Sequence, residues 1–254
     1  MAATAAPEEI KAPSPLLMLM EGRAPWELGA ALAAGPILSG APAGDGHPVL
    51  VFPGLSANDI STIPLRNFLR DRGYAPHPWN YGFNFGPRHG VLRGCVEHVR
   101  ELHEKYGRRV SLVGWSLGGL YAREVAKLLP DATRTVVTLG TPFTGNPKAT
   151  NAWRLYEWIS DGKVDDPQMQ AQLRVPPPVP TTSIYSKTDG IVAWQCSLNE
   201  PGPLVENIEI HASHFGMGLN PIALYAIADR LAQAEGAWKP FDRSGARKWF
   251  YKET

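Results

Sequence analysis

Cysteine is scarce in this chain. Cys95 and Cys196 are its only two among 254 residues, too few for a disulfide framework. Cys95 falls on an apolar helical stripe, the setting of a buried core thiol, and neither cysteine has a metal ligand beside it in sequence. No metal site is expected, and reduced thiols point to a cytoplasmic address. An excess of charge is also missing: 25 Lys and Arg stand against 24 Asp and Glu, a net of +1. There is no basic run and no interleaving of aromatic with basic residues, so nucleic acid is not expected as a partner. Long apolar runs are absent too. Leu16–Met20 is five residues long, and Glu21, Arg23 and Glu27 interrupt the apolar patches of residues 16–38. A membrane span needs about 20 apolar residues, so none is expected. Glu8 and Glu9 ahead of Lys11 do not resemble a signal peptide. Two roles stay open for 16–38: covering the core, or peripheral contact with a membrane surface. Nothing in the sequence speaks to oligomeric state.

What is present is ordinary for a globular protein: 44% apolar and 19% charged residues. A chain of this length buries about 70–75% of its unfolded surface, enough to fold without staples. From residue 47 onward, short apolar strands alternate with amphipathic helices, the pattern of a parallel sheet covered on both faces. Strands are expected at Pro48–Phe52, Arg109–Trp115, Thr135–Leu139, Thr182–Tyr185 and Val205–Ile210, and an extended segment at Tyr74–Phe85. Helices are expected after Pro64, over roughly 88–106, over 117–129 and after Asn220-Pro221, where a capping side chain meets a proline suited to the first turn. Residues 143–178 break the rhythm, with Trp153, Tyr156 and Ile159 at helical spacing and then Pro176-Pro177-Pro178.

Gly114-Trp115-Ser116-Leu117-Gly118 is a G-x-S-x-G pentapeptide. Its setting gives it weight: a buried strand precedes it and an amphipathic helix follows, as a nucleophile elbow requires. The glycines let neighbouring backbones approach closely. The serine then stands at a helix N-terminus, where the dipole favours developing negative charge.

On these residues the chain resembles the α/β-hydrolase superfamily, and within it the small bacterial lipases and esterases. The resemblance covers roughly residues 47–234. It implies one α/β domain, 47–254, with a mostly parallel sheet, helices on both faces and a small cap inserted at about 143–178, preceded by an extension, 1–46, packing on or near the core. It also implies catalytic residues in the chain order serine, acid, histidine. Ser116 is then the nucleophile. His47, His77, His89, His98 and His103 come too early, which leaves His211 and His214. His211 ends a strand and its direction is fixed by the pleat. His214 lies in the following loop, from which a general base can swing over the serine, and it is favoured. Asp189 follows the strand Thr182–Tyr185 and is the expected acid. Asp131 is too close to the nucleophile helix, and Asp161, Asp165 and Asp166 lie in the insertion.

Acyl transfer builds negative charge on a carbonyl oxygen, which two backbone N–H groups usually hold. Leu117, next after the serine, is one expected donor. Leu55, in the loop Phe52-Pro53-Gly54-Leu55, is the other; many relatives have His-Gly here and this chain has Pro-Gly. Trp79, Tyr81, Phe83 and Phe85 alternate along one segment, either as one face of a core strand or as a wall of an acyl pocket. Trp115 flanks the serine, and Trp153, Tyr156 and Trp158 would line the underside of a cap. The expected function is hydrolysis of a small-molecule or lipid carboxylic ester through an acyl-enzyme on Ser116, without a cofactor. The rivals are an acyltransferase using the same residues and a binding protein that keeps the fold without catalysis.

Overall fold

The computed structural model describes residues 10–145, 149–151 and 167–252. At its centre is a parallel sheet of six strands: β1 (Pro48–Phe52), β2 (Ala75–Pro78), β3 (Val110–Trp115), β4 (Thr133–Leu139), β5 (Thr181–Ser186) and β6 (Val205–Ile210). Their spatial order is β2-β1-β3-β4-β5-β6, and every neighbouring pair runs parallel. β1, β3, β4 and β5 are buried along their whole length. Strands covered on both faces have no solvent side, which is why they read as continuous runs rather than as an alternation.

The pleat sends successive side chains to opposite layers. Val49, Val51, Val113 and Val137 face one layer, where Leu65 and Leu69 of α4 (Ile63–Asp71) and Ala223, Leu224, Ile227 and Leu231 of α8 (Pro221–Leu231) cover them. Leu50, Phe52, Leu112 and Val136 face the other. There α5 (Val91–Tyr106) contributes Cys95, Val96 and Val99, and α6 (Leu117–Leu128) contributes Tyr121, Ala122 and Val125. Both cysteines are free and buried. Burial pushes the Cys95 thiol up to about 12 and Cys196 to about 11, so neither carries reactive thiolate at neutral pH.

Two segments differ from the reading of the sequence. Residues 16–38 form short helices, α1 (Pro15–Leu19), α2 (Ala24–Ala33) and α3 (Gly35–Leu38), joined by a 3-10 turn over Met20–Arg23. Pro15, Pro25 and Pro36 each stand in a first turn. Ala31 and Leu38 join the layer of α4 and α8. α1 and α3 are single turns, too short to show a period, and the apolar residues of α2 do not gather on one face, so no helical period marks the segment. The extended segment expected over Tyr74–Phe85 is a strand only to Pro78. Asn80, Gly82 and Gly86 then take positive φ of 68°, 67° and 87°, and Asp59 accepts the N–H groups of Trp79 and Asn80 at 2.9 and 3.2 Å. The alternating aromatics imitate a strand while the chain turns on itself. Among the described residues no helix is long and apolar enough to cross a membrane.

Part of the segment inserted between β4 and β5, including Trp153, Tyr156, Trp158, Asp161, Asp165 and Asp166, lies outside the described residues. Its return is α7 (Pro167–Arg174). Arg123 of α6 is fully buried and holds that return. Its guanidinium donates to Asn199 Oδ1 at 2.8 Å and to the carbonyls of Leu173, Arg174 and Val175 at 3.3 Å. It also lies 3.8 Å from the centre of the Phe143 ring. A cation at a helix C-terminus satisfies carbonyls that lack an intrahelical partner.

Candidate active site

β3 ends at Trp115 and α6 begins at Leu117, so Ser116 alone makes the turn between them. It takes φ 52° and ψ −121°, a conformation that costs a residue with a Cβ about 1–3 kcal/mol. The surroundings enforce it. The Ser116 N–H donates to Leu139 O at 2.7 Å, and its carbonyl accepts from Gly119 N–H at 2.9 Å and from Thr141 Oγ1 at 2.9 Å. The turn is also closed to side chains: a Cβ on Gly114 would strike Gly119, and one on Gly118 would strike the backbone of Phe52 and Pro53. Ser116 itself is half-buried.

The loops after β5 and β6 meet at the same, C-terminal edge of the sheet. Asp189 and His214 are 3% exposed each, and Asp189 Oδ2 lies 2.7 Å from His214 Nδ1. Asp189 Oδ1 accepts the N–H groups of Ile191 and Val192, both at 2.8 Å, which fixes the carboxylate plane. With Nδ1 engaged, Nε2 is the ring nitrogen left for proton transfer. Burial works against an imidazolium here, but the charge of Asp189, its hydrogen bond and then the charge of Glu21 outweigh it and hold His214 above the usual 6.5. Trp115 Nε1 donates to His214 O at 2.9 Å, so this buried indole backs the His214 loop. His211 is exposed, and its carbonyl accepts from Asn220 Nδ2 at 3.1 Å.

Leu55 follows β1, and Gly54 runs beside the serine: a Cβ on Gly54 would sit 3.4 Å from Ser116 Cβ. Leu117 occupies the first helical position of α6, where N–H groups have no intrahelical acceptor. Asn84 shapes the Leu55 loop. It is fully buried, donates from Nδ2 to Pro53 O at 2.7 Å, and its backbone pairs with Ser56 N–H at 2.7 Å and Ala57 O at 2.8 Å. Asn84 and Thr141 carry no signal in the sequence, since nothing in their local pattern marks a residue whose partner lies a strand away. Trp79 is 1% exposed and packs edge-on against Tyr121 and Tyr81 in the core under α6. Tyr81 is partly exposed beside Gly94, and Phe83 and Phe85 stack at 5.7 Å near the surface. A mostly apolar cleft of about 220 Å³ lies along Leu117, Leu120, Tyr121, Leu92 and Leu173, with Glu124 and Gln172 also in its wall; of Ser116, Asp189, His214, Leu55 and Leu117, Leu117 alone lines it.

A second Ser–His–Asp arrangement lies at the opposite edge of the sheet. His47 Nε2 is 2.8 Å from Ser111 Oγ, and Nδ1 is 2.6 Å from Asp45 Oδ1. Both Ser111 and His47 are fully buried, and Ser111 lies inside β3 with no strained turn. Burial holds His47 down at about 4. With no path for a substrate, this set ties the start of β1 to β3. Hydrogen-bond order alone does not make a catalytic site.

A parallel sheet in this order, with a strained serine between a strand and a helix and an acid–histidine pair at the same edge, defines a hydrolase architecture. Residues 44–250 match the sequence profile of the Alpha/beta hydrolase family, and the chain belongs to that family. No curated protein is similar enough in sequence to be matched to it. Among solved structures it is similar to lipase B of Aspergillus fumigatus, at 15% identity and a TM-score of 0.58 over 76% of this chain and 54% of the lipase. The chain thus spans about half the length of that lipase. It is also similar to a monoacylglycerol lipase of Paleococcus ferrophilus (15% identity, TM-score 0.54, 75% of this chain and 96% of the other). A third likeness is to an alpha/beta superfamily hydrolase of Oenococcus oeni PSU-1 (20% identity, TM-score 0.54, 73% and 91%). At these identities the likeness carries the fold.

Proposed function

We propose that the protein is a serine hydrolase that cleaves a carboxylic ester through an acyl-enzyme on Ser116. The observation that carries this reading is the buried 2.7 Å contact between Asp189 and His214, at the sheet edge where Ser116 is held in its strained turn. His214 Nε2 takes the Ser116 proton as Oγ attacks the ester carbonyl. The N–H groups of Leu117 and Leu55 receive the resulting oxyanion. His214 then gives the proton to the departing alcohol, and water repeats the sequence on the acyl-enzyme. Asp189 keeps the imidazole in the tautomer that presents Nε2 as acceptor and stabilises the imidazolium that forms. Segment 143–178 is read as the cap over this edge, and residues 16–38 are read as an N-terminal cover rather than a membrane anchor.

Asp189→Asn should keep the geometry and lose about 10³–10⁴ in kcat, because the wrong tautomer is favoured. A severe loss at Asp166 with none at Asp189, in steady-state assays of both variants, would move the acid into the insertion. The raised His214 pKa sets the pH profile. Only neutral imidazole accepts the serine proton, and a raised value keeps it protonated to higher pH. The acid limb of kcat/KM should therefore have its midpoint above the usual 6.5. A midpoint below that would mean that Asp189 does not charge-pair with the base in solution.

What supports a substrate class is the mostly apolar cleft that Leu117, the residue after the nucleophile in sequence, lines together with Leu120, Tyr121, Leu92 and Leu173. The preferred acyl group is medium or long. Each buried methylene contributes about 0.8 kcal/mol, so four extra carbons should raise kcat/KM by roughly two orders of magnitude. A p-nitrophenyl ester series from acetate to palmitate tests this. A peak at acetate that falls steadily towards octanoate would make the protein a short-chain esterase. Labelling of Ser116 by a fluorophosphonate without turnover of any ester would favour the acyltransferase instead.

A further inference from the structure

The chain ahead of the sheet also reaches the site. Glu21, in the 3-10 turn after α1, is 5% exposed. Its Oε1 accepts the N–H groups of His214 at 2.9 Å and Gly190 at 2.7 Å, and its Oε2 accepts that of Phe215 at 2.9 Å. A buried carboxylate is costly unless its oxygens are satisfied, and here three backbone amides satisfy them. One follows the acid, one belongs to the base, and one follows the base. The neighbouring residues repeat the pattern. Glu27 Oε1 accepts Ser213 N–H at 2.7 Å, and Arg23 donates to Thr188 O at 2.8 Å and Thr188 Oγ1 at 2.9 Å. Arg23 and Glu27 also pair with each other at 3.2 Å. The main chain of α1 lies directly on the acid loop: a Cβ on Gly190 would come within 2.8 Å of Met18 Cα. Thr188–Gly190 and Ser213–Phe215 are therefore gripped by one short segment.

We propose that Glu21, backed by Arg23 and Glu27, is a positioning residue: its carboxylate ties the acid loop and the base loop to one point and so sets how His214 faces Ser116. The inference rests on the reading of Ser116, Asp189 and His214 given above. Two properties of Glu21 act together. Its bidentate hold on both loops fixes their separation, and its charge lies close enough to favour the imidazolium. The charged groups facing His214 are Asp189 from the loop after β5 and Glu21 from the N-terminal segment. Glu27 and Arg23 hold the residues just before His214 and Asp189, Ser213 and Thr188, and neutralise one another.

Glu21→Gln keeps the shape and one accepting oxygen but loses the charge and the second acceptor. The readouts are the rate of Ser116 labelling by a fluorophosphonate and the steady-state constants for a p-nitrophenyl ester, normalised to active sites titrated with the same probe. Per active site, kcat should fall by about 10–10²-fold, because a small misplacement of a catalytic group is costly. KM should change by less than about threefold, since no ground-state contact is removed. The acid limb should move to lower pH. Glu21→Asp, which keeps the charge, should recover most of the shift in the limb. An unchanged kcat per active site with an unmoved acid limb would overturn the proposal, as would a loss of activity that tracks only the folded fraction. Should Glu21→Gln not fold, Arg23→Met carries the test: it releases Thr188 and frees Glu27 from its ion pair while leaving the Glu21 carboxylate in place. A fall in kcat of about threefold at unchanged KM supports the role of the segment, and no change overturns it. Ser116→Ala is measured alongside: if it still turns over ester, the reading of the site has failed rather than the role of Glu21.

Discussion

Ser116→Ala is expected to abolish ester turnover while leaving the fold intact. Removing the nucleophile of a triad costs about 10⁴–10⁶ in kcat, with a remainder from the oxyanion site and binding alone. The fold should tolerate the change, because the Ser116 backbone is held by Leu139, Gly119 and Thr141 through main-chain atoms. Alanine keeps all of these bonds and pays the same positive-φ strain. Circular dichroism and a melting curve would show the native protein, and a fluorophosphonate would no longer label it. Retention of a tenth of the activity would remove Ser116 from the mechanism.

The second large effect belongs to the base. His214→Ala should match Ser116→Ala in severity, because serine without a base is a poor nucleophile and loss of either member costs nearly what loss of both does. His211→Ala should be mild. His211 is exposed, and what it offers Asn220 is its main-chain carbonyl, which alanine retains. Parallel kinetics on the two variants, with folding checked by melting, decide the assignment. A reversed ranking would hand the base role to His211.

How much of this could be read from the sequence varies with the range of the interactions involved. The strands and the setting of Ser116 were legible because local rules govern them: fully buried parallel strands are continuous apolar runs, and a strand-to-helix turn with no room for Cβ atoms spells its glycines. Asn220 and Pro221 announced α8 for the same reason, and Asn220 Oδ1 does accept from Ile222 N–H at 2.9 Å. Chain order and loop position singled out Asp189 and His214. Tyr74–Phe85 misled because alternation of aromatics is also what a winding loop shows when every second ring finds a packing partner. In the sequence Glu21 is only a charge that breaks an apolar run, and its partners lie 169, 193 and 194 residues away. No window of sequence contains that relation. Asn84 was hidden likewise, since its bond to Pro53 crosses 31 residues.

The grip of Glu21 on His214 has a consequence for how the chain assembles. It joins residues 193 apart, among the most non-local contacts a chain of 254 residues can make. Closing so large a loop is entropically expensive and is rewarded only after both ends are built. During synthesis residues 16–32 leave the ribosome well before their partners, carrying Leu16, Leu19, Trp26 and Leu32, which stay exposed even in the folded protein. Their partners at 188–215 emerge 165 to 194 residues later. The sheet can zip strand by strand as it emerges, but the loops of Asp189 and His214 are tied to each other through Glu21 only when residues 21–27 meet residues 188–215. Activity should lag behind the recovery of secondary structure in refolding, and the exposed apolar side chains of this segment face solvent both before and after its contact with the two loops forms.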